Sequence, residues 1–182
     1  MPTVNIVYPK TFRIQYRQEK GDKDYGSCLW ANFDFDTKEY TLNIMSDCGN
    51  YSYGWVRTPK SESFVHLCKR LDWGYLLDKI AERSQIDEEA TLNNAIDLIE
   101  SEYIEDLPDG WKGELEDKIY SCRCEAEIAE HIGEFAEYYG ITLEDYSIWQ
   151  CIEKDYTANA KKIVEVYVNY IVPNLPEEAR DD

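Results

Sequence analysis

The fold is decided by residues 28–56, which read CLWANFDFDTKEYTLNIMSDCGNYSYGWV. Apolar and polar side chains alternate along this stretch, and a period of two is typical of half-buried β-strands. The link DTKE at 36–39 and the sequence SDCGN at 46–50 divide the stretch into three strands joined by hairpins, because Asp, Asn and Gly suit the backbone of a tight turn. We therefore expect an antiparallel meander.

Two segments upstream also have strand character. TFRIQYR at 11–17 alternates with the same period, and the polar loop QEKGDKDYG at 18–26 joins it to the meander. TVNIVYP at 3–9 is a further apolar run. Together these segments predict about four antiparallel strands within residues 1–58.

Beyond residue 58, apolar residues recur every three and four positions, which is typical of amphipathic helices. We predict helices that begin near Ser61, at Asp87, at Trp111 and near Glu144. The first of these either continues through Gly74 or restarts after it. The stretch from Trp111 to Tyr139 is one long helix or two closely joined ones, and the last helix runs to Val172. The predicted class is α+β: a small antiparallel meander at 1–58, then an acidic helical bundle at 59–182, in one compact unit.

Charge is distributed unevenly over the chain. The formal net charge is −18, of which residues 1–60 contribute +1 and residues 61–182 contribute −19. An acidic field repels nucleic acids and lipid surfaces and attracts basic partners. We expect no direct nucleic-acid binding and no membrane association. The alternative interpretation of such a charge is a solvated, soluble surface.

The acidic helices lack the lysines and arginines that usually accompany Glu. Residues 82–117 contain thirteen Asp and Glu but two Lys and Arg, and residues 125–145 contain seven acids and no Lys or Arg. Like charges at i, i+3 and i+4 destabilise a helix, yet such rows of carboxylates imitate a nucleic-acid backbone. The predicted partner-binding residues are Glu114, Glu116, Asp117, Glu127, Glu130, Glu134 and Glu137.

Residues for catalysis or metal binding are sparse. His66 and His131 both fall within predicted helices, and no nucleophile elbow, phosphate loop or paired zinc motif is present. Cys122 and Cys124 form one C-x-C with His131 downstream, but without a second ligand pair we interpret them as core or surface residues. With no segment typical of a secretory signal, we expect six reduced thiols in the cytoplasm, no enzyme, no metal and no cofactor.

The segments SDCGNYSYGWV and SFVHLCKRLDWGYLLDKI resemble phage and prophage proteins in which a hairpin with the pattern Ser-Asp-x-Gly-Asn-Tyr-x-Tyr-x-Trp precedes an aromatic-rich helix. In length and character the chain also resembles the type II-A anti-CRISPR proteins, which inhibit Cas9. This resemblance implies a non-enzymatic inhibitor, in the cytoplasm of a bacterial host, that binds guide-loaded Cas9 and hinders target DNA binding and cleavage. The alternative is a phage DNA mimic or host-takeover protein that binds another basic nucleic-acid-handling protein.

Overall fold

A computed structural model describes residues 10–22, 25–57, 62–102 and 107–177. The chain forms two compact units. Unit 1 comprises Met1–Glu82 and Tyr156–Asp182, and unit 2 comprises Arg83–Asp155. Each unit contains its own cluster of buried apolar side chains. The division into residues 1–58 and 59–182, which the composition suggests, stays a prediction.

The secondary structure is mixed, which confirms the predicted α+β class. The strands are β1 (Thr11–Arg17), β2 (Trp30–Asp36), β3 (Thr41–Ser46), β4 (Gly49–Gly54), β5 (Arg83–Ile86) and β6 (Lys154–Tyr156). The helices are α1 (Phe64–Lys69), α2 (Trp73–Ile80), α3 (Glu88–Glu102), α4 (Trp111–Tyr120), α5 (Glu125–Tyr138), α6 (Asp145–Cys151) and α7 (Ala158–Val166). A π-helical turn, Tyr167–Ile171, and a 3-10 turn, Val172–Asn174, follow α7.

The first four strands form one antiparallel sheet in the order β1-β2-β3-β4, so the predicted meander is confirmed. The register places Phe33 of β2 between Ile14 of β1 and Ile44 of β3. One face of the sheet is therefore apolar and buried, while the other presents polar pairs such as Arg13 with Asp34. The apolar run at 3–9 lies outside the described residues.

A two-residue turn, Asp47 and Cys48, connects β3 to β4. Gly49 follows it at φ +117°, a left-handed conformation that favours glycine. Beyond β4, the Trp55 ring packs on Phe64 of α1 with ring centroids 5.7 Å apart. The aromatic end of this hairpin therefore contacts the first helix.

The described residues of unit 2 include β5 and four helices. α3 contacts α4, α4 contacts α5, α5 contacts α6, and α6 contacts α3. This closed ring of contacts surrounds a core that includes the fully buried Leu115, Ile119 and Ile132. Asp87 caps α3 as predicted, since its Oδ1 accepts a hydrogen bond from the amide of Ala90 at 3.0 Å.

Two of the predicted helical stretches are interrupted in the structure. The stretch from Trp111 forms two helices, α4 and α5, so the second of the two alternatives is the observed one. The single helix predicted from Glu144 to Val172 is wrong, because the chain leaves α6 after Cys151, pairs as β6 with β5, and starts α7 afresh. Thr157 initiates α7 by accepting a hydrogen bond from the amide of Ala160 on its Oγ1.

Within residues 144–172, the aromatic residues Trp149 and Tyr170 lie at positions that fit the apolar face of one continuous helix, yet both are about half exposed. Once the helix is broken at β6, they no longer share one continuous face. Across the described ranges, no helix has both the length and the apolar composition that a membrane crossing requires.

Candidate functional site

Acidic residues are concentrated in unit 2. Residues 83–155 contain 21 Asp and Glu against five Lys and Arg, a net charge of −16, so the rest of the chain carries only −2. The field of this chain therefore originates almost wholly in one compact unit of helices. An anionic source of this size attracts basic partners and speeds their association at low ionic strength.

Four carboxylates form a stripe along α5, and we call Glu127, Glu130, Glu134 and Glu137 the α5 stripe. All four are exposed, whereas the opposite side of the helix buries Ile128, Ile132 and Phe135 in the core of unit 2. At ~1.5 Å rise per residue the stripe extends ~15 Å along the axis, with successive charges ~5 Å apart. The predicted alignment of these residues on one helix face is therefore observed.

Glu127 has a local structural role. α5 has Cys124 at its N-cap, and the side chain of that residue makes no capping hydrogen bond. Instead, Oε2 of Glu127 accepts a hydrogen bond from the amide of Arg123 at 2.6 Å. A carboxylate in the first turn also interacts favourably with the helix dipole. Glu127 therefore stabilises the start of α5, independently of any partner.

Glu114 on α4 is also engaged within the unit. Its Oε2 accepts a hydrogen bond from the Tyr139 hydroxyl, just past the end of α5, at 3.0 Å. The pKa of Tyr139 is raised, first by burial and then by the hydrogen bond and negative charge of Glu114. This contact places Glu114 beside the C-terminal end of α5, near the last residue of the stripe.

Glu116 and Asp117 are exposed on α4. Glu116 contributes to a different concentration of charge, near Tyr120. The pKa of Tyr120 is raised by partial desolvation and then by the charges of Glu116, Glu89, Glu88 and Asp87. The predicted residues therefore do not form one group: Glu114 lies at the C-terminal end of α5, whereas Glu116 lies near Tyr120 and the start of α3.

Few cations offset this charge. In unit 2, Lys112 pairs with Glu100 at 2.6 Å and Lys154 pairs with Glu125 at 2.7 Å. Both pairs leave the α5 stripe untouched. Among the residues that the structure describes, Glu130, Glu134 and Glu137 form no ion pair and no side-chain hydrogen bond. The charge of these three carboxylates, like that of Glu116 and Asp117 on α4, serves no visible structural purpose.

Exposed aromatic rings accompany the carboxylates, and sequence periodicity did not identify them. Tyr138 is 81% exposed and lies one helical turn after Glu134, on the same face of α5. On α6, which contacts α5, Tyr146 is 71% exposed and Trp149 is 49% exposed. Tyrosine and tryptophan at a surface are typical of protein interfaces. Their signal in the sequence is the excess of Tyr, which alone does not say which rings are exposed.

The two histidines lie in different units. His66 on α1 is exposed and 3.6 Å from Glu62. The Nδ1 of His131 is 3.2 Å from the sulfur of Cys122, and both of those atoms approach the carbonyl of Lys118. Cys124 is exposed. The C-x-C pair therefore splits into one half-buried thiol beside His131 and one surface thiol.

Comparison with known proteins identifies one family. The model of a phage family, Phage_phiTE_072, matches residues 10–177. That range covers both units almost entirely. No curated protein and no solved structure matches the chain.

Proposed function

The chain belongs to the phage family Phage_phiTE_072, and from that premise we propose that it is a phage inhibitor that binds a basic nucleic-acid-handling protein of the host. The observation that carries the proposal is the unneutralised carboxylate row Glu130, Glu134 and Glu137 in a unit of net charge −16. We propose guide-loaded Cas9 as the partner, on the resemblance to type II-A anti-CRISPR proteins.

The physical basis is imitation of a phosphate backbone. A DNA strand presents one charge per ~3.4 Å, and the α5 stripe presents one per ~5 Å. Cas9 reads its PAM with arginines and encloses the heteroduplex in a positive channel. A rigid helix face of carboxylates would occupy such a channel and hinder target DNA binding and cleavage. The same charge disfavours direct binding to nucleic acids or membranes, and the proposal includes no catalytic step and no cofactor.

The repulsion in the stripe supports this interpretation over a merely solvated surface. Solubility needs net charge, but it does not need like charges at i+3 and i+4, each of which costs about 0.2–0.5 kcal/mol. Lysines at those positions would remove the cost and leave unit 2 strongly acidic. A row without lysines is what docking into a basic channel requires.

Inhibition of DNA cleavage by purified, guide-loaded Cas9 tests the proposal. The stripe variant carries Glu130→Gln, Glu134→Gln and Glu137→Gln, which leaves Glu127 and Glu114 to their structural contacts. The control variant carries Glu19→Gln, Glu39→Gln and Glu82→Gln, three exposed residues of unit 1. Both variants lose the same charge.

We expect wild type and the control variant to inhibit cleavage, and the stripe variant to need at least about tenfold more protein, equivalent to ~1.4 kcal/mol of lost binding. Equal inhibition by all three proteins would remove the stripe from the mechanism. No inhibition by wild type would remove Cas9 as the partner.

A second candidate is a host protein that binds single-stranded nucleic acid. The exposed rings of Tyr138, Tyr146 and Trp149 favour it, because single-strand channels combine cationic grooves with aromatic contacts to bases. Capture of host proteins from a bacterial lysate on the immobilised protein, at low and high salt, distinguishes Cas9 from a protein that binds single-stranded nucleic acid. We expect a nucleic-acid-binding protein that elutes as salt rises. Retention of partners only in high salt would contradict both candidates.

A further inference from the structure

A second cluster of reactive side chains lies in unit 1, at one end of the four-stranded sheet. The register pairs Ala31 of β2 with Ser46 of β3. Residues just before β2 therefore meet residues just after β3. This topology brings together Cys28, Asp47 and Cys48, whose two sulfurs and one carboxylate oxygen all lie within 4.8 Å of one another.

Hydrogen bonds fix the carboxylate of Asp47 in the cluster. It accepts from the amide of Leu29 at 2.8 Å and from the amide of Trp30 at 3.4 Å. Both donors belong to the segment that carries Cys28. Since a carboxylate has two oxygens and about four acceptor sites, Asp47 can accept these bonds and still coordinate a cation.

The two sulfurs are enclosed while the carboxylate is open. Cys28 is 0% exposed and Cys48 is 4% exposed, whereas Asp47 is exposed. The thiol of Cys48 donates to the carbonyl of Ser27 at 3.2 Å, and that of Cys28 points to the carbonyl of Trp30 at 3.8 Å. The cluster thus has its two sulfur-bearing side chains buried and its carboxylate at the surface.

Two thiolates and the Asp47 carboxylate would together place three negative charges in a cluster whose sulfurs are buried. A divalent cation placed among the three ligands would supply positive charge where two thiolates and a carboxylate need it.

We infer that Cys28, Asp47 and Cys48 form a binding site for one divalent cation of the zinc class. Two thiolates select a borderline or soft metal over magnesium or calcium, and a carboxylate completes a three-ligand set that leaves a fourth tetrahedral position for water. Binding exchanges two thiol protons, released to solvent, for the cation. The metal would join the segment before β2 to the β3–β4 turn.

Cadmium is the probe, because cadmium–thiolate bonds absorb in the ultraviolet and report sulfur ligation directly. The reduced, full-length protein is titrated with Cd²⁺, and thiols are counted in parallel. We expect one equivalent to saturate the band and to raise the melting temperature, since a ligand that binds only the folded state stabilises it. Six reduced thiols with no band would overturn the site.

Variants identify the ligands. Cys28→Ser and Cys48→Ser should each abolish tight binding, and Asp47→Asn, which retains an oxygen that can accept the amide hydrogen bonds, should weaken it by at least about tenfold. Cys124→Ser, at a surface thiol of unit 2, is the matched control and should bind like wild type. Circular dichroism verifies folding of each variant. A full band in folded Cys28→Ser or Cys48→Ser would contradict the inference, and so would undiminished affinity in Asp47→Asn.

Discussion

Neutralising the α5 stripe should make the protein more stable, although it should weaken the proposed activity. The stripe contains three repulsive pairs, Glu127 with Glu130, Glu130 with Glu134, and Glu134 with Glu137, at spacings of three or four residues. The stripe variant removes all three. At about 0.2–0.5 kcal/mol per pair, the free energy of unfolding should rise by about 0.6–1.5 kcal/mol. Gln and Glu have similar helix propensity, so the gain is electrostatic.

Urea unfolding followed by circular dichroism at two salt concentrations measures this effect. The Debye length is ~10 Å at 0.1 M salt and ~3 Å at 1 M, so charges ~5 Å apart repel at the lower concentration and are screened at the higher. The gain should therefore shrink as salt rises. A stripe variant less stable than wild type at low salt would refute the reasoning, because the carboxylates would then be stabilising the fold. A gain independent of salt would equally refute an electrostatic origin.

Three further changes test the fold. Phe135→Ala should lower the free energy of unfolding by about 3–5 kcal/mol in urea titrations, since Phe135 is 2% exposed in the core of unit 2. Asp87→Ala should lower the free energy of unfolding by about 1 kcal/mol, because it removes the acceptor of the Ala90 amide. Asp87→Asn keeps an acceptor oxygen and should retain most of that stability. Arg70 lowers the pKa of Glu62 below its ordinary 4.5 by hydrogen bonding and charge. That contribution is present above about pH 4.5 and is lost as pH falls through the lowered pKa, so Arg70→Ala should reduce acid sensitivity in unfolding curves. The packing of Phe135 would be contradicted if Phe135→Ala were within about 1 kcal/mol of wild type. The cap would be contradicted if Asp87→Ala left the free energy of unfolding unchanged, and the Glu62–Arg70 contact if Arg70→Ala left the acid part of the stability profile unchanged.

The sheet could be predicted because its pattern is strong and local. Alternation in β2 and β3 places Phe33, Phe35 and Leu42 on one face, and the structure buries all three. Hairpin links of two to four residues leave the chain little choice but to pair neighbouring strands. The α5 stripe could be predicted for the same reason, since helix geometry alone aligns residues three and four apart.

The break within the predicted last helix could not be obtained from periodicity. Ile152 and Tyr156 continue the helical spacing, yet residues 154–156 form β6 with a strand from the other end of unit 2. Such pairing depends on residues about 70 positions away, which no local pattern registers. Thr157 indicates the start of α7 in the sequence, because a threonine before a run of polar and apolar residues favours a helix start.

The cysteine cluster is also a product of long-range pairing. Cys28 is separated from Asp47 and Cys48 by two strands, and only the β2–β3 register brings them together. Ligand spacing in the sequence therefore has no C-x-x-C form to recognise. The structural roles of Glu127 and Glu114 could not be predicted from the sequence either, because both depend on hydrogen bonds at helix ends.

The central claim is that the acidic face of unit 2 takes the place of nucleic acid on a basic protein. Equilibrium binding of fluorescently labelled wild type to guide-loaded Cas9, repeated with increasing unlabelled target DNA, tests this most directly. The account predicts mutual exclusion: the apparent Kd should rise in proportion to the DNA concentration, and the stripe variant should bind more weakly than the control variant. Simultaneous binding of protein and DNA, with a Kd unaffected by DNA, would contradict it.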